Sequence, residues 1–154
     1  MFSRFNRLVR RSVALGNSFP IMPIDEIRLS VEFAELPNQP RVIDRLIREL
    51  FDHENMHVRR IAVNACRRSE HFDEPGLRDA LVRRLSDEEA WVRYDAAWAI
   101  GDAGYDDAEI RNGLKAAAGD AKLPGDEERR AENPSDADLS AKVRALEVLN
   151  KLGA

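Results

Sequence analysis

The chain has 154 residues, 44% of them apolar and 34% charged, which is enough material for one globular domain with a buried core. A net charge of −4 gives no general attraction to nucleic acid or anionic lipid, and no apolar run approaches the roughly 20 residues that cross a bilayer. The single cysteine, Cys66, excludes an internal disulfide and fits a reducing, cytoplasmic compartment.

The charge is unevenly placed. Residues 1–20 carry four arginines and no acid, and all 28 acidic residues lie beyond them. An Arg-rich, acid-free amphipathic start has the profile of a mitochondrial presequence. It equally fits a first helix with Phe2, Phe5, Val9 and Val13 packed inward and Arg4, Arg7, Arg10 and Arg11 solvated, and we read it as that helix. The segment 24–36 supports two patterns. Ile27, Leu29, Val31 and Phe33 alternate as in a strand, whereas Ile24, Ile27, Val31 and Ala34 fit one face of a helix after Pro23, with Asp25 and Glu26 in its first turn. A lone strand would lack a partner in a helical stack, so a helix is expected, paired with residues 2–15 as an N-terminal cap over 1–40.

From residue 41 the chain repeats. VRRIAVNACRR (58–68) and VRYDAAWAIGD (92–102) are offset by 34, matching Val58 with Val92, Arg59 with Arg93, Ala62 with Ala96, Ala65 with Ala99 and Cys66 with Ile100. Upstream, Ile43, Ile47 and Phe51 are matched by Leu77, Leu81 and Leu85, and then by Ile110, Leu114 and Ala118. The spacing predicts paired amphipathic helices, A then B, over 41–51, 55–68, 75–85, 88–102 and 107–118. A last helix, about 138–152, aligns Ala141, Lys142, Ala145 and Leu149 with Val92, Arg93, Ala96 and Ile100 at an offset of 49. The extra residues fall in 121–138, rich in Pro, Gly and charge, which reads as an inserted, solvated loop. All seven prolines lie between these helices or, as with Pro75, in a first turn. Asp87 and Asp136 are candidate N-caps, and Gly104 and Gly153 candidate helix stops.

A helical pair repeating every 34 residues, with Val-Arg opening its second helix, then Ala-Ala, then Leu or Ile before Gly, resembles the HEAT repeat. VRYDAAWAIGDAG is similar to the short bacterial HEAT-like repeats, including those of the phycobilin lyase type. The resemblance implies an all-α fold, a short α-solenoid in which 41–120 hold two regular repeats and the first helix of a third, and 139–154 the last helix. It implies B helices on the concave side, and it implies that Arg93 pairs with an acid in an inter-helix turn, for which Asp52, Asp87 and Asp120 are the candidates. It does not imply a reaction.

Against this frame, AWVRYDAAWAIGDAG (90–104) carries both tryptophans of the chain. Trp91, Asp95 and Trp98 stand at helical spacing as one stripe. Trp91 and Asp95 border the core, and Asp95 replaces Ile61 in a slot where a carboxylate needs a partner such as Arg59 or Arg60. Tyr94 and Trp98 have no repeat equivalents: their counterparts are Arg60 and Asn64, and Val143 and Glu147. Outward aromatics on B helices make a partner anchor, so the candidate protein-binding face is Arg60, Asn64, Arg67, Tyr94, Trp98 and Glu147. The expected function is a non-enzymatic protein-binding module: an adaptor, an assembly factor, or an inhibitor of the immunity type. Loop 121–138 is a second candidate surface.

No catalytic residue, metal site or cofactor is expected. The chain has one His-Glu pair, His53-Glu54, and neither an HExxH motif nor a phosphate-binding glycine loop. Cys66 stands at a core position. The alternative reading is nucleic-acid binding or base excision. A Trp–Asp pair on a HEAT-like helix resembles the alkylpurine DNA glycosylases, and Arg pairs at 59–60, 67–68 and 83–84 could meet phosphates. The acidic balance of the chain weighs against it.

Overall fold

A computed structural model describes residues 3–121 and 136–153. They form eight α-helices: α1 (Ser3–Gly16), α2 (Pro23–Ala34), α3 (Gln39–Glu49), α4 (Met56–Ser69), α5 (Leu77–Arg84), α6 (Ala90–Ala103), α7 (Ala108–Ala118) and α8 (Ala137–Lys151). No strand occurs among the described residues. The expected all-α fold and the A–B alternation are therefore present, with helix ends within about two residues of those expected. Phe2 and residues 122–135 of the expected loop lie outside the described residues. Contacts divide the chain into two units, Met1–Ala80 and Leu81–Ala154. Helix α5 spans the division: Leu77 and Ala80 fall in the first unit, Leu81 in the second, and all three are buried.

In the first unit α2 packs on α4, α1 on both, and α3 on α4. The segment 24–36 is a helix, but the face it buries is not the expected one. Leu29, Ser30 and Phe33 are buried, while Ile24 and Ile27 are 47% and 42% exposed. The strand-like positions 29 and 33 are also i and i+4, so they share a helical face; periodicity alone did not separate the two patterns. Helix α1 turns Phe5, Leu8 and Ser12 inward, with Val9 and Val13 only half-buried. Its Phe5 ring meets Phe33 edge-on at 5.4 Å, and the Arg45 guanidinium lies 4.2 Å from the Phe5 centroid. The Gly16 carbonyl at the end of α1 accepts a hydrogen bond of 2.9 Å from Asn55 Nδ2. Asn55 Oδ1 caps α4 by accepting from the backbone N–H of His57 and Val58.

In the second unit α6 and α7 both pack on α8. Gly101 permits the close approach of α6 to α8, since a Cβ there would stand 2.9 Å from Val148 Cγ2. Gly104 ends α6 at φ +72, as expected of a helix stop. Asp136 caps α8 as expected, accepting from the Leu139 N–H at 3.1 Å. Pro75 is not in a first turn: α5 starts two residues later, at Leu77.

The turns joining A to B helices carry the same bonds in both units. Arg59, the fourth residue of α4, folds back so that Nη1 donates to the carbonyls of His53 (2.9 Å) and Glu54 (3.2 Å). Arg93, the fourth residue of α6, does the same to Asp87 (2.8 Å) and Glu88 (3.3 Å). The backbone N–H two residues after each first carbonyl is also held. Asn55 N–H donates to His53 Nδ1 and Glu89 N–H donates to Asp87 Oδ1, at 3.0 and 2.9 Å. Two expectations are corrected here. Arg93 engages Asp87 through its carbonyl, while the carboxylate takes Arg84 (2.9 Å) on one oxygen and the Glu89 N–H on the other, and Asp87 stays the turn rather than capping α6, whose N-cap residue is Glu89. In α8 the equivalent Lys142 reaches the Asp138 carboxylate instead.

Buried carbonyls left without donors are costly, so the clamp is expected to be structural. Arg59 is 5% exposed and the Arg93 side chain 21% exposed. We expect Arg59→Met to destabilise by about 2–4 kcal/mol and Arg93→Met by about 1–2 kcal/mol in urea denaturation. An Arg59→Met change smaller than about 0.5 kcal/mol would contradict this role.

Candidate protein-binding site

The structure places the six candidate residues in two clusters, one in each unit. On α4, Asn64 Nδ2 donates to the Arg60 carbonyl at 3.0 Å and Arg67 Nε donates to Asn64 Oδ1 at 3.2 Å. Arg60 Nη1 stands 3.5 Å from Glu26 Oε2 of α2, and the other Glu26 oxygen lies 2.6 Å from His57 Nδ1. All three candidates are half-buried and bonded along their own helix. A partner would have to break those bonds or use the charges at a distance.

On α6 the aromatic residues form a row. Tyr94 meets Trp91 edge-on at 5.4 Å and Trp98 edge-on at 5.9 Å. All three are half-buried. The stripe on this face is thus Trp91, Tyr94 and Trp98, at i, i+3 and i+7. Asp95 turns away from it and is 2% exposed, as buried as Ile61 in the matching slot of α4 rather than semi-buried. Trp91 and Trp98 do not separate into a core and a surface residue; they flank one tyrosine.

Arg144 of α8 completes the cluster. Its guanidinium lies 5.0 Å from the Tyr94 centroid and 4.9 Å from that of Trp98, within cation–π range of both. Nη2 donates to Tyr94 Oη at 2.8 Å, and Nη1 stands 3.6 Å from Glu147 Oε2. Arg144 Nε is buried without a hydrogen-bond partner among the described residues. Sequence reasoning missed Arg144, although a signal existed: at the offset of 49 it aligns with Asp95 and so with Ile61, a core slot that has become charged in both later repeats. The arrangement is a half-exposed aromatic platform with a cation on it and a carboxylate at its edge, a composition suited to recognition.

Burial pushes the Cys66 thiol far up from its ordinary value, so it stays a protonated core group. Among the described residues no group of three or more His, Cys, Asp or Glu is placed to hold a metal ion. Asp138 receives Lys142 Nζ at 3.1 Å and Arg93 Nη2 at 2.7 Å, linking the clamp of α6 to α8. The hydrogen bond from Lys142, with the charges of Lys142 and Arg93, holds the Asp138 carboxyl below its ordinary value.

Paired helices whose turns repeat the same bonds at a 34-residue offset define a helical-repeat protein. The sequence model of the HEAT repeats matches residues 38–132, more than half of the chain, and the protein belongs to the HEAT-repeat family. HEAT repeats build helical solenoids and commonly serve as protein-interaction modules. No curated protein and no solved structure matches the chain.

Because the Asp138 carboxyl binds its proton more weakly folded than unfolded, its contribution is complete above the unfolded range, about pH 4, and is lost as pH falls through the lower folded value. Asp138→Asn should therefore unfold at lower urea than the native protein at pH 7, with the difference closing as the pH falls below about 4. A difference that widens on acidification would contradict the assignment.

Proposed function

We propose that the protein is a non-enzymatic protein-binding module, an adaptor, assembly factor or inhibitor, working in the cytoplasm through faces of its B helices. The observation that carries this reading is the α6–α8 platform. Tyr94 and Trp98 replace Arg60 and Asn64 in a repeat that keeps Val92, Arg93, Ala96 and Ala99, and they stand half-exposed under Arg144. A side chain kept for packing alone would not need to depart from the repeat at a position that faces outward. Tyr, Trp and Arg are also the residues that dominate interface energies.

Of the six candidates, Tyr94, Trp98 and Glu147 lead, joined by Arg144. Arg60, Asn64 and Arg67 are bonded to their own helix or to Glu26, which leaves them as secondary contacts. Asp95, buried in an otherwise apolar core slot, has a structural role in this reading.

The test compares Trp98→Ala with the native protein, both tagged and expressed in the source cell. Trp98→Ala should weaken the captured partner about 30-fold or more, the equivalent of about 2 kcal/mol. Its cost in stability should stay below about 1.5 kcal/mol, because the ring is half-exposed and gives up chiefly a cation–π contact and an edge contact. Unchanged retention, or unfolding of Trp98→Ala, would defeat the assignment. Release of alkylated bases from DNA by the native protein, lost in Asp95→Asn, would replace it with the excision reading.

A further inference from the structure

The large apolar side chains that stand exposed among the described residues are concentrated in one short stretch. Phe19 is 97% exposed, Met22 54%, Ile24 47% and Ile27 42%. They occupy the loop from α1 to α2 and the first turns of α2. A groove of about 430 Å³ lies between the end of α1 and the start of α2, lined by Arg11, Ala14, Leu15, Asp25, Arg28 and Leu29. A smaller depression of about 170 Å³ continues along the same two helices past Arg4, Arg7 and Leu8, again bordered by Arg11. From Arg4 to Leu15 the seam is about 16 Å long, or about three turns of a helix laid in it. Ile24 stands one turn before Arg28 on the same side of α2, so Ile24 borders the groove.

The charges of the seam are unbalanced. Arg11 and Glu32 neutralise each other at 3.0 Å. Of the residues lining it, Arg4, Arg7 and Arg28 have no carboxylate partner among the described residues and outnumber the two unpaired acids, Asp25 and Glu35. We propose that this seam is a docking groove for an acidic amphipathic segment of a partner protein. Its apolar side chains would cover Phe19, Met22, Ile24 and the Leu15–Leu29 floor, and its carboxylates would meet the free arginines of α1 and Arg28. The geometry distinguishes this occupant from two others. A two-fold pair of copies would set this net-positive surface against an equally positive one. A flat anionic bilayer cannot fill a groove and would face Asp25 and Glu35, whereas a segment in the groove can place its acids opposite the arginines alone.

The probe is a fluorescein-labelled synthetic peptide of about 16 residues, with Leu and Phe at helical spacing and Glu elsewhere, titrated with the full chain and followed by anisotropy. A matched peptide with Lys for Glu, and phosphatidylserine–phosphatidylcholine vesicles, form the other arms. The acidic peptide should bind saturably and weaken as salt rises. The double variant Phe19→Ser/Ile24→Ser and the single variant Arg28→Glu should each lose about tenfold or more in affinity while melting like the native protein. Several results would overturn the proposal: no binding of the acidic peptide, equal binding of the Lys peptide, or affinity unchanged in both variants. Binding to vesicles without binding to the peptide would assign the patch to a membrane surface. Dimerisation abolished by Phe19→Ser/Ile24→Ser would assign it to a second copy. Either would also overturn the proposal.

Discussion

A guanidinium folded back onto two carbonyls of the turn before its own helix is the constraint on which the rest of each unit depends. The turn between an A and a B helix has carbonyls to satisfy beside half-buried His53 in one unit and buried Asp87 in the other. Arg59 and Arg93 solve this from the same place, the fourth residue of the B helix, on carbonyls five and six residues earlier. His53 and Asp87 hold the complementary N–H with different chemistry, an imidazole nitrogen in one turn and a carboxylate oxygen in the other. Geometry, not residue type, is what repeats there. Once the turn is fixed, the rotation of the B helix is fixed, and with it the direction of every side chain that follows.

That rotation explains how α6 carries both a packed face and a half-exposed aromatic face. Val92, Ala96, Ala99 and Ile100 are fully buried, and Gly101 lets α8 come close. Small residues at these positions make the helices approach, and close approach costs little where no long side chain has to be ordered. Tyr94 and Trp98 lie off that face. They are brought within reach of Arg144 because α8 is held against α6, partly through Asp138, which takes Arg93 and Lys142 together. The clamp of α6 is therefore connected through one carboxylate to the helix that supplies the cation of the platform.

The repeat was legible in the sequence because it rests on residues whose burial depends on spacing alone. Val58 and Val92, Ala62 and Ala96, and Cys66 and Ile100 are all fully buried, as their shared offset implied. Bonds that depend on backbone geometry were less legible. The carbonyl partners of Arg93 could not be read from residue types, since any residue supplies a carbonyl, and a search among aspartates found Asp87 for the wrong atom. Helix α2 shows the limit of periodicity: its apolar residues fit two faces, and contact with α1 and α4 selected Leu29 and Phe33 over Ile24 and Ile27. In the candidate site Tyr94 and Trp98 stood out by breaking the repeat. Arg144 did not, because its helix aligns at a displaced offset and a lone arginine on a helix looks solvated until its neighbours are known.

The central claim is that the departures from the repeat on α6 are the surface a partner covers, and the chain's two tryptophans report on that surface directly. Incorporating 5-fluorotryptophan gives one fluorine resonance for each, assigned by replacing Trp91 or Trp98 with phenylalanine. In the complex captured from native cells, the account predicts that the Trp98 resonance shifts and loses its sensitivity to a dissolved paramagnetic relaxation agent. Fluorine signals of both tryptophans that stay at their free positions, with undiminished sensitivity to the agent while the partner is bound, would contradict it.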